Sequence, residues 1–225
     1  MKLLAIDCAA SLCAACVYDA EVGRELGRSV LDLGKGHAEH LMAVIEEALK
    51  TSATGYAGLG AIAVSVGPGS FTGLRVGVSA ARGLALALKI PAIGVTSLEA
   101  LAAQAAEVFP GRPVLSALDA GREEIHAAFY DETMTLTFGP AVTTLAEIVA
   151  IATDRSPVLT GTAAIQIAAA AGHAFDIGPT EATADIAVYA RLAVEKGEGE
   201  RPKPLYLRGA DAKPQAGFIL ARLGP

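Results

Sequence analysis

Two of the four histidines in this sequence have the spacing of paired metal ligands. His37 and His40 lie three residues apart at the start of a predicted helix, with Glu39 between them, so their side chains could share one helix face. A metal site needs a further ligand, and no nearby residue has a spacing that supplies it. The sequence favours a structural or interface role for this pair, and it predicts ordinary, partly buried side chains for His126 and His173.

Thiol and hydroxyl chemistry is also poorly supported. Cys8, Cys13 and Cys16 are odd in number and crowded into the first two predicted strands, a pattern that fits neither a disulfide framework nor a four-ligand zinc site. We interpret them as small buried hydrophobic residues in a reducing compartment. Ser70 follows Pro68-Gly69, but Phe71-Thr72 replaces the spacing of a G-x-S-x-G nucleophile elbow, and no nearby base can be argued.

Two aspartates occupy equivalent places in two similar segments, LLAIDCAASLCAACVYDA and LSALDAGREEIHAAFYDE. Asp7 and Asp119 each end an apolar strand, and each is followed twelve residues later by an aspartate that a tyrosine precedes. Such aspartates commonly bond to the backbone of their own turn. The repeated strands, turn position and spacing indicate a duplication, with two half-domains that each begin with a β-hairpin.

The elements that must position these residues are organised around residues 61–98. Residues 61–66 form an apolar, β-branched run that predicts a buried strand, and Ser70 is placed to cap a helix that no proline interrupts before Pro91. One face of this helix is nearly flat, because three of its six residues are glycines, and it consists of Gly69, Gly73, Val76, Gly77, Ala80 and Leu84. Glycine is unfavourable inside a helix, so the spacing suggests close approach of another backbone or a ligand.

The opposite side of the same helix carries basic residues at seven-residue intervals: Arg75, Arg82 and Lys89. This stripe is consistent with a solvated face, and a contact with a partner or a phosphate is the alternative.

Hydrophobic periodicity predicts the remaining elements. Beyond the two hairpins, strands are expected at residues 24–33, 92–95, 134–138, 158–160 and 205–208, and helices at 37–51, 97–108, 145–153, 163–171 and 183–196. A polar loop is expected at 197–203, and the sequence from Gly209 onward specifies little.

Composition limits the class of protein. The 225 residues are 52% hydrophobic, enough for one large or two modest domains with a substantial core. A net charge of −6 and the lack of a Lys/Arg-rich run argue against direct binding to the phosphate backbone of a nucleic acid. The uncharged residues 156–175 are long enough to cross a bilayer, but they include Pro157, Gly161 and Gln166, so we expect a buried helix of a soluble protein.

The order of elements resembles the actin-like ATPase (ribonuclease H-like) fold of sugar kinases and Hsp70-type chaperones. Within that α/β fold the chain is similar to the bacterial TsaB family, also called YeaZ. The motifs that carry the resemblance are LAID at 4–7, residues 37–49, GPGSFTGLR at 67–75, ARGLA at 81–85, TSLEAL at 96–101, LDA at 118–120 and PLYLR at 204–208. The resemblance implies two duplicated half-domains, at 1–100 and 101–225, each a mixed β-sheet with flanking helices.

The resemblance also implies a function. TsaB proteins are non-catalytic scaffolds that pair with and activate the catalytic homologue TsaD, which makes threonylcarbamoyladenosine next to the anticodon of transfer RNA. An accessory ATPase, TsaE, is implied as a third member, with tRNA contacted only through the complex, a cytoplasmic location, no membrane contact, and a homodimer when the partner is absent. The expected interface uses the first helix and the glycine-rich helix, through His37, Leu41, Val44, Ile45, Ala48, Phe71, Gly73, Val76, Gly77, Ala80 and Leu84.

Catalytic residues of related proteins do not carry over. The histidine pair that ligates metal in TsaD relatives corresponds to Ser97 and Leu101, and serine is a poor ligand while leucine is none. Asp7 and Ser11 are what remains of a phosphate-binding hairpin. We expect no tightly bound cofactor in the isolated chain, with ATP or ADP at the subunit contact left open. An ATP-dependent kinase and a glycoprotease-type metalloprotease are the alternatives.

Overall fold

A computed structural model of the protein describes residues 1–208. The first of its two mixed sheets has the strand order β3-β2-β1-β4-β5. Its strands are β1 (Lys2–Asp7), β2 (Leu12–Asp19), β3 (Arg24–Asp32), β4 (Leu59–Gly67) and β5 (Ala92–Thr96). The first three strands form an antiparallel meander, and β4 and β5 add to it in parallel, as expected of a hairpin followed by crossover helices.

The second sheet repeats the first four strands of this arrangement. Its order is β8-β7-β6-β9, with β6 (Val114–Asp119), β7 (Glu124–Tyr130), β8 (Leu136–Thr144) and β9 (Val158–Thr160). Asp7 pairs with Ala14 at the end of the first hairpin, and Asp119 pairs with Ile125 at the end of the second. The predicted α/β fold with duplicated hairpins is confirmed.

Six helices among the described residues separate and cover the sheets. They are α1 (His37–Thr51), α2 (Phe71–Leu88), α3 (Ser97–Val108), α4 (Leu145–Arg155), α5 (Ala164–Ala171) and α6 (Ile186–Lys196). The helices α1 and α2 cover one face of the first sheet, α3 and α6 lie between the sheets, and α4 and α5 cover the far face of the second. Since α3 contains residue 100 and packs against both sheets, the two predicted half-domains share a core.

The structure differs from the sequence pattern at two strands. The predicted strand 134–138 begins at Leu136 and runs to Thr144, because Asp131 accepts hydrogen bonds from Thr133 and Thr135 and holds the preceding residues in a turn. The predicted strand at 205–208 is wrong: the segment has no regular structure, although the Leu205 N–H donates to the Val66 carbonyl (2.7 Å). The expectation for the chain from Gly209 onward lies outside the described residues.

By length and composition alone, α2 is the described helix that could cross a membrane. The core helix of a soluble protein passes the same test, and α2 buries one face against the first sheet and carries Arg75 and Arg82 on the other. The apolar segment 156–175, in contrast, is divided between β9 and α5.

Candidate functional site

The glycines at the start of α2 lie directly on the turn between β1 and β2. A Cβ atom on Gly69 would overlap the carbonyl oxygen of Ala9, and one on Gly73 would overlap that of Cys8. The Ser70 N–H donates to the Ala9 carbonyl (2.7 Å), and the Ser70 hydroxyl accepts from the Gly73 N–H (3.2 Å), which confirms the predicted helix cap. The close approach that the glycines indicated is therefore made within this chain.

The flat face of α2 consequently serves the fold of the subunit itself. Gly73 and Gly77 are buried against the hairpin, while Val76, Ala80 and Leu84 are half-buried along the flank of the same core. Of the α2 residues predicted at an interface, Phe71 is the exposed one, with 49% of its surface accessible.

The predicted interface residues of α1 are also covered by the protein. They form the buried face of the helix against the first sheet, and they are His37, Leu41, Val44, Ile45 and Ala48. The apolar arc of α1 is wide because it packs against β2, β3 and α2 at once. A partner that binds α1 in this structure meets its other face, so the predicted interface needs correction at these five positions.

We define the α1–α2 surface as the exposed small and apolar residues of these two helices. Its members are Ala38, Met42, Ala43, Phe71, Ser79, Gly83, Leu86 and Ala87. Leu86 is 77% exposed and Met42 is 44% exposed. Ser79, Gly83 and Ala87 recur every four residues and lie on one side of α2. The sequence contains this spacing, but the glycines at 69–77 predicted an interface on a different side of the helix, which is buried.

Charges of opposite sign flank this surface. Exposed glutamates on α1 include Glu39, Glu46 and Glu47, whereas α2 exposes Arg75 and Arg82. A second molecule with the same two helices could place its acidic helix against the basic one.

Arg75 is held at the N-terminal end of α2. Its guanidinium carbon lies 3.8 Å from the ring centroid of Phe71, and its Nε donates to the Tyr206 hydroxyl (2.9 Å). The rings of Phe71 and Tyr206 are 5.0 Å apart. These side chains line a cleft of about 790 Å³ between the two hairpin turns, and Ala9 and Asp119 line it as well.

Asp7 does not face this cleft. Its side chain is 1% exposed and accepts a hydrogen bond from the Ala9 N–H (2.9 Å). Burial raises the pKa of the Asp7 carboxyl, although hydrogen bonds from Ala9, Thr183 and Ser65 oppose the rise. Ser11 is exposed in the turn between β1 and β2, and its carbonyl accepts hydrogen bonds from the N–H groups of Leu33 and Gly34.

The arrangement does not fit the phosphate and metal of a nucleotide, because the aspartate that would orient them is enclosed in the fold. The second hairpin is more open: exposed Asp119 accepts from the Gly121 N–H (2.8 Å), and its own N–H donates to the Thr162 hydroxyl (2.9 Å). ATP or ADP at a subunit contact stays a prediction.

Ser97 and Leu101 lie deep between the two sheets. Both are fully buried; the Ser97 hydroxyl lies 3.3 Å from that of Ser65, and Leu101 belongs to the apolar core. The hydroxyls of Ser65, Ser97 and Thr183 surround that of Tyr189, which has no partner at normal hydrogen-bond geometry among the described residues.

The four histidines of the sequence do not form a common site. His37 is buried and its Nε2 has no partner in the described chain, while His40 is exposed. His126 lines the cleft, where burial lowers its pKa. His173 is exposed rather than partly buried, with its ring 4.3 Å from that of Phe175. Within residues 1–208, no group of three or more His, Cys, Asp or Glu side chains is placed to hold a metal ion.

These features define a class of protein: an actin-like ATPase fold of two similar halves, with one half presenting a pair of neighbouring helices to solvent. A family model described as TsaD, tRNA N6-adenosine threonylcarbamoyltransferase, matches residues 32–191. The chain belongs to the TsaB/YeaZ branch of this family.

Individual comparisons agree with this assignment. The tRNA threonylcarbamoyladenosine biosynthesis protein TsaB of Escherichia coli K12 is 34% identical over 131 residues, which are 58% of this chain and 55% of that protein. An uncharacterized protein of Mycobacterium tuberculosis H37Rv is 35% identical over 217 residues, 95% of each chain. A Pseudomonas aeruginosa structure described as similar to peptidase YeaZ gives a TM-score of 0.77 at 25% identity and covers 92% of this chain and 99% of that one.

Proposed function

We propose that this protein is the non-catalytic scaffold subunit needed for threonylcarbamoyladenosine modification of tRNA next to the anticodon, and that it pairs with and activates a TsaD-type catalytic homologue. Involvement in this biosynthesis is supported by the name of its TsaB relatives. The proposed role as a scaffold, which pairs with and activates the catalytic subunit without catalysing a reaction itself, is supported by the surroundings of Ser97 and Leu101.

The observation that carries the proposal is the environment of Ser97 and Leu101. By the resemblance to catalytic relatives, these positions correspond to a metal-ligating histidine pair. Here Leu101 supplies no donor atom, and the Ser97 hydroxyl is engaged with Ser65 in a closed part of the core. A substrate in the cleft reaches neither residue, because neither lines it.

The proposed contact with the catalytic subunit is the α1–α2 surface. A monomer gains nothing from exposing Leu86, Met42 and Phe71 on adjacent helices, whereas burying them against a partner contributes free energy of association. Exposed small residues let a second helix approach closely, and the opposite charges of α1 and α2 orient a partner with equivalent helices.

The remaining members of the assembly follow from the same proposal. TsaE would act as the accessory ATPase, tRNA would be bound through the complex, and the protein would act in the cytoplasm. When the catalytic subunit is absent, the same surface would pair two copies of this chain. The net charge of −6 supports indirect rather than direct contact with tRNA.

Reconstitution tests the proposal. This protein, a TsaD-type subunit and their mixture would each be assayed for incorporation of labelled threonine into tRNA, with TsaE and the enzyme that forms threonylcarbamoyl-adenylate present throughout. We expect modification only with the mixture, and co-elution of the two chains in gel filtration. Modification by this chain alone, or full activity of the catalytic subunit without it, would contradict the proposal.

The two alternative functions are not supported by the described residues. A kinase would need Asp7 at the cleft surface, and a metalloprotease would need donor atoms at residues 97 and 101 that can reach a common ion.

A further inference from the structure

The turn between β1 and β2 brings two cysteine sulfurs together. Asp7 pairs with Ala14 at the end of the hairpin, and continuing this register places Cys8 opposite Cys13. Their Sγ atoms are 3.9 Å apart, and both side chains are buried on the face of the sheet that α1 and α2 cover. Cys16 lies three residues further along, on the opposite face.

We propose that Cys8 and Cys13 form a redox-active pair that closes to an intramolecular disulfide when the protein meets a peroxide. Facing residues of antiparallel strands have Cα atoms about 4.5–5.5 Å apart, within the range of about 4.4–6.8 Å that disulfides span. Closing the bond moves the sulfurs about 2 Å toward each other, which side-chain rotation can supply without moving the strands.

The two sulfurs have different reactivities. The hydrogen bond between them lowers the pKa of the Cys13 thiol, while the same bond together with burial raises the pKa of Cys8. Cys13 lies two residues from exposed Ser11 at the end of the hairpin, and with the lowered pKa this position assigns it as the attacking thiolate.

The chemistry balances with hydrogen peroxide as oxidant. The Cys13 thiolate attacks one peroxide oxygen, the O–O bond breaks as the S–O bond forms, and hydroxide leaves and takes up the proton that the thiol lost. Cys8 then attacks the sulfenic sulfur, the S–S bond forms as the S–O bond breaks, and the Cys8 proton leaves with the hydroxyl as water. Two thiols are oxidised and one peroxide is reduced to two waters.

The position of the pair links this chemistry to α2. The Cys8 carbonyl meets Gly73 and the Cys8 side chain lies beside Gly77, so a disulfide would fix the residue on which the first turns of α2 rest. Disulfides of reducing compartments are commonly transient and redox-sensing, which is the behaviour expected of this pair.

Mass spectrometry of the full chain tests the proposal. Native protein would be treated with hydrogen peroxide and its intact mass measured, and it would then be unfolded so that the buried thiols react, alkylated, and digested without reductant. We expect alkylatable thiols to fall from three to one, a mass loss of about 2 Da for the two hydrogens removed, a cross-linked Cys8–Cys13 peptide, and reversal by dithiothreitol.

Single variants make the test specific. Cys8→Ala and Cys13→Ala should each abolish the intramolecular cross-link, while Cys16→Ala, a matched buried cysteine with no sulfur partner among the described residues, should keep it. Hydrogen exchange of amides at 8–13 and in the first turns of α2 should slow on oxidation. Retention of three thiols in folded protein, a cross-link to Cys16 or between chains, or sulfinic acid without a disulfide would each overturn the proposal; unchanged exchange would overturn the link to α2.

Discussion

The carbonyl oxygen of Cys8 occupies the space that a side chain on Gly73 would fill. This contact fixes the N-terminal end of α2 on the first hairpin, and it explains why a helix in this position tolerates glycine despite the cost of glycine in helices. It also means that the flat face of α2 is used before any partner binds.

A graded series of glycine variants in α2 follows from this contact. Gly73→Ala should lower the free energy of unfolding by about 2 kcal/mol or more, because backbone must move to admit the methyl group. In Gly77→Ala the new methyl group meets Cys8 and Val64 at ordinary contact distance, so this variant should be intermediate in the series. In Gly83→Ala the methyl group enters open space, so this variant should raise the free energy of unfolding by about 0.5–1 kcal/mol. Urea denaturation measures all three. Equal effects at 73 and 83 would contradict the assignment of the contact.

The cap of α2 gives a second stability prediction. Ser70→Ala removes the acceptor of the Gly73 N–H and should cost about 1 kcal/mol in the free energy of unfolding. Ser79→Ala is the matched control, since Ser79 is exposed in the middle of the same helix and alanine is the better helix former. Thermal denaturation of both variants checks the difference, and a larger loss at Ser79 would refute it.

The buried carboxyl of Asp7 predicts a pH dependence with a definite sign. Because its pKa is raised in the folded state, the folded protein binds more protons than the unfolded chain above the ordinary pKa of 3.8, and stability falls as pH rises from there through the folded pKa. Asp7→Asn should therefore be more stable than the natural protein at neutral pH, with the difference shrinking toward about pH 4.

Asp19→Asn is the control with the opposite sign. Hydrogen bonds from the N–H groups of Glu21 and Val22 lower the pKa of Asp19, so its contribution to stability is present at neutral pH and is lost as pH falls through the folded pKa. Urea denaturation across the acidic range measures both variants. Destabilisation by Asp7→Asn at neutral pH would contradict the prediction, because it would show that the buried carboxylate stabilises the fold.

The α1–α2 surface is tested by variants that leave the fold intact. Leu86→Glu and Gly83→Leu change exposed positions, with Leu86 77% exposed and no atom within 4 Å of a Cβ on Gly83. Each should weaken binding to the catalytic subunit by about tenfold or more, which corresponds to about 1.4 kcal/mol. Isothermal titration calorimetry measures the affinity, and circular dichroism confirms the fold.

Ile165→Glu supplies the matched control for these variants. Ile165 is a 59% exposed apolar residue on α5, in the other half of the molecule. It should leave affinity unchanged. Normal binding by both surface variants, or equal loss with the α5 variant, would remove the proposed interface. Gly73→Leu cannot serve here, because it would disturb the fold before any partner is added.

Much of the fold could be predicted from local pattern. Residues 37–51, 97–108 and 158–160 form the expected elements with the expected bounds, because strong periodicity, caps and turn residues act over a few positions. The two hairpins could also be predicted, from the repeated sequence pattern. The absence of a strand at 205–208 could not be predicted locally, since among the described residues its backbone donates to a strand through one hydrogen bond, from Leu205 to Val66, and Arg208 is held instead by its side chain on Glu124.

The candidate site was less predictable. The glycine spacing of α2 indicated a close approach but not its partner, which is the Cys8–Ala9 turn of the same chain. Likewise, the apolar face of α1 could not be divided by sequence into residues that meet the sheet and residues that face solvent, such as Met42.

Most of the elements, their order, the duplication and the lack of metal ligands at Ser97 and Leu101 could be predicted from the sequence, because residue identity and short-range periodicity carry that information. Three features depend on packing between distant segments and became visible in the folded protein: the flat face of α2 is internal, Asp7 is enclosed, and Cys8 faces Cys13 across the hairpin. An apolar or small-residue face can pack against any neighbour of complementary shape, and the topology of the chain determines which segment becomes that neighbour.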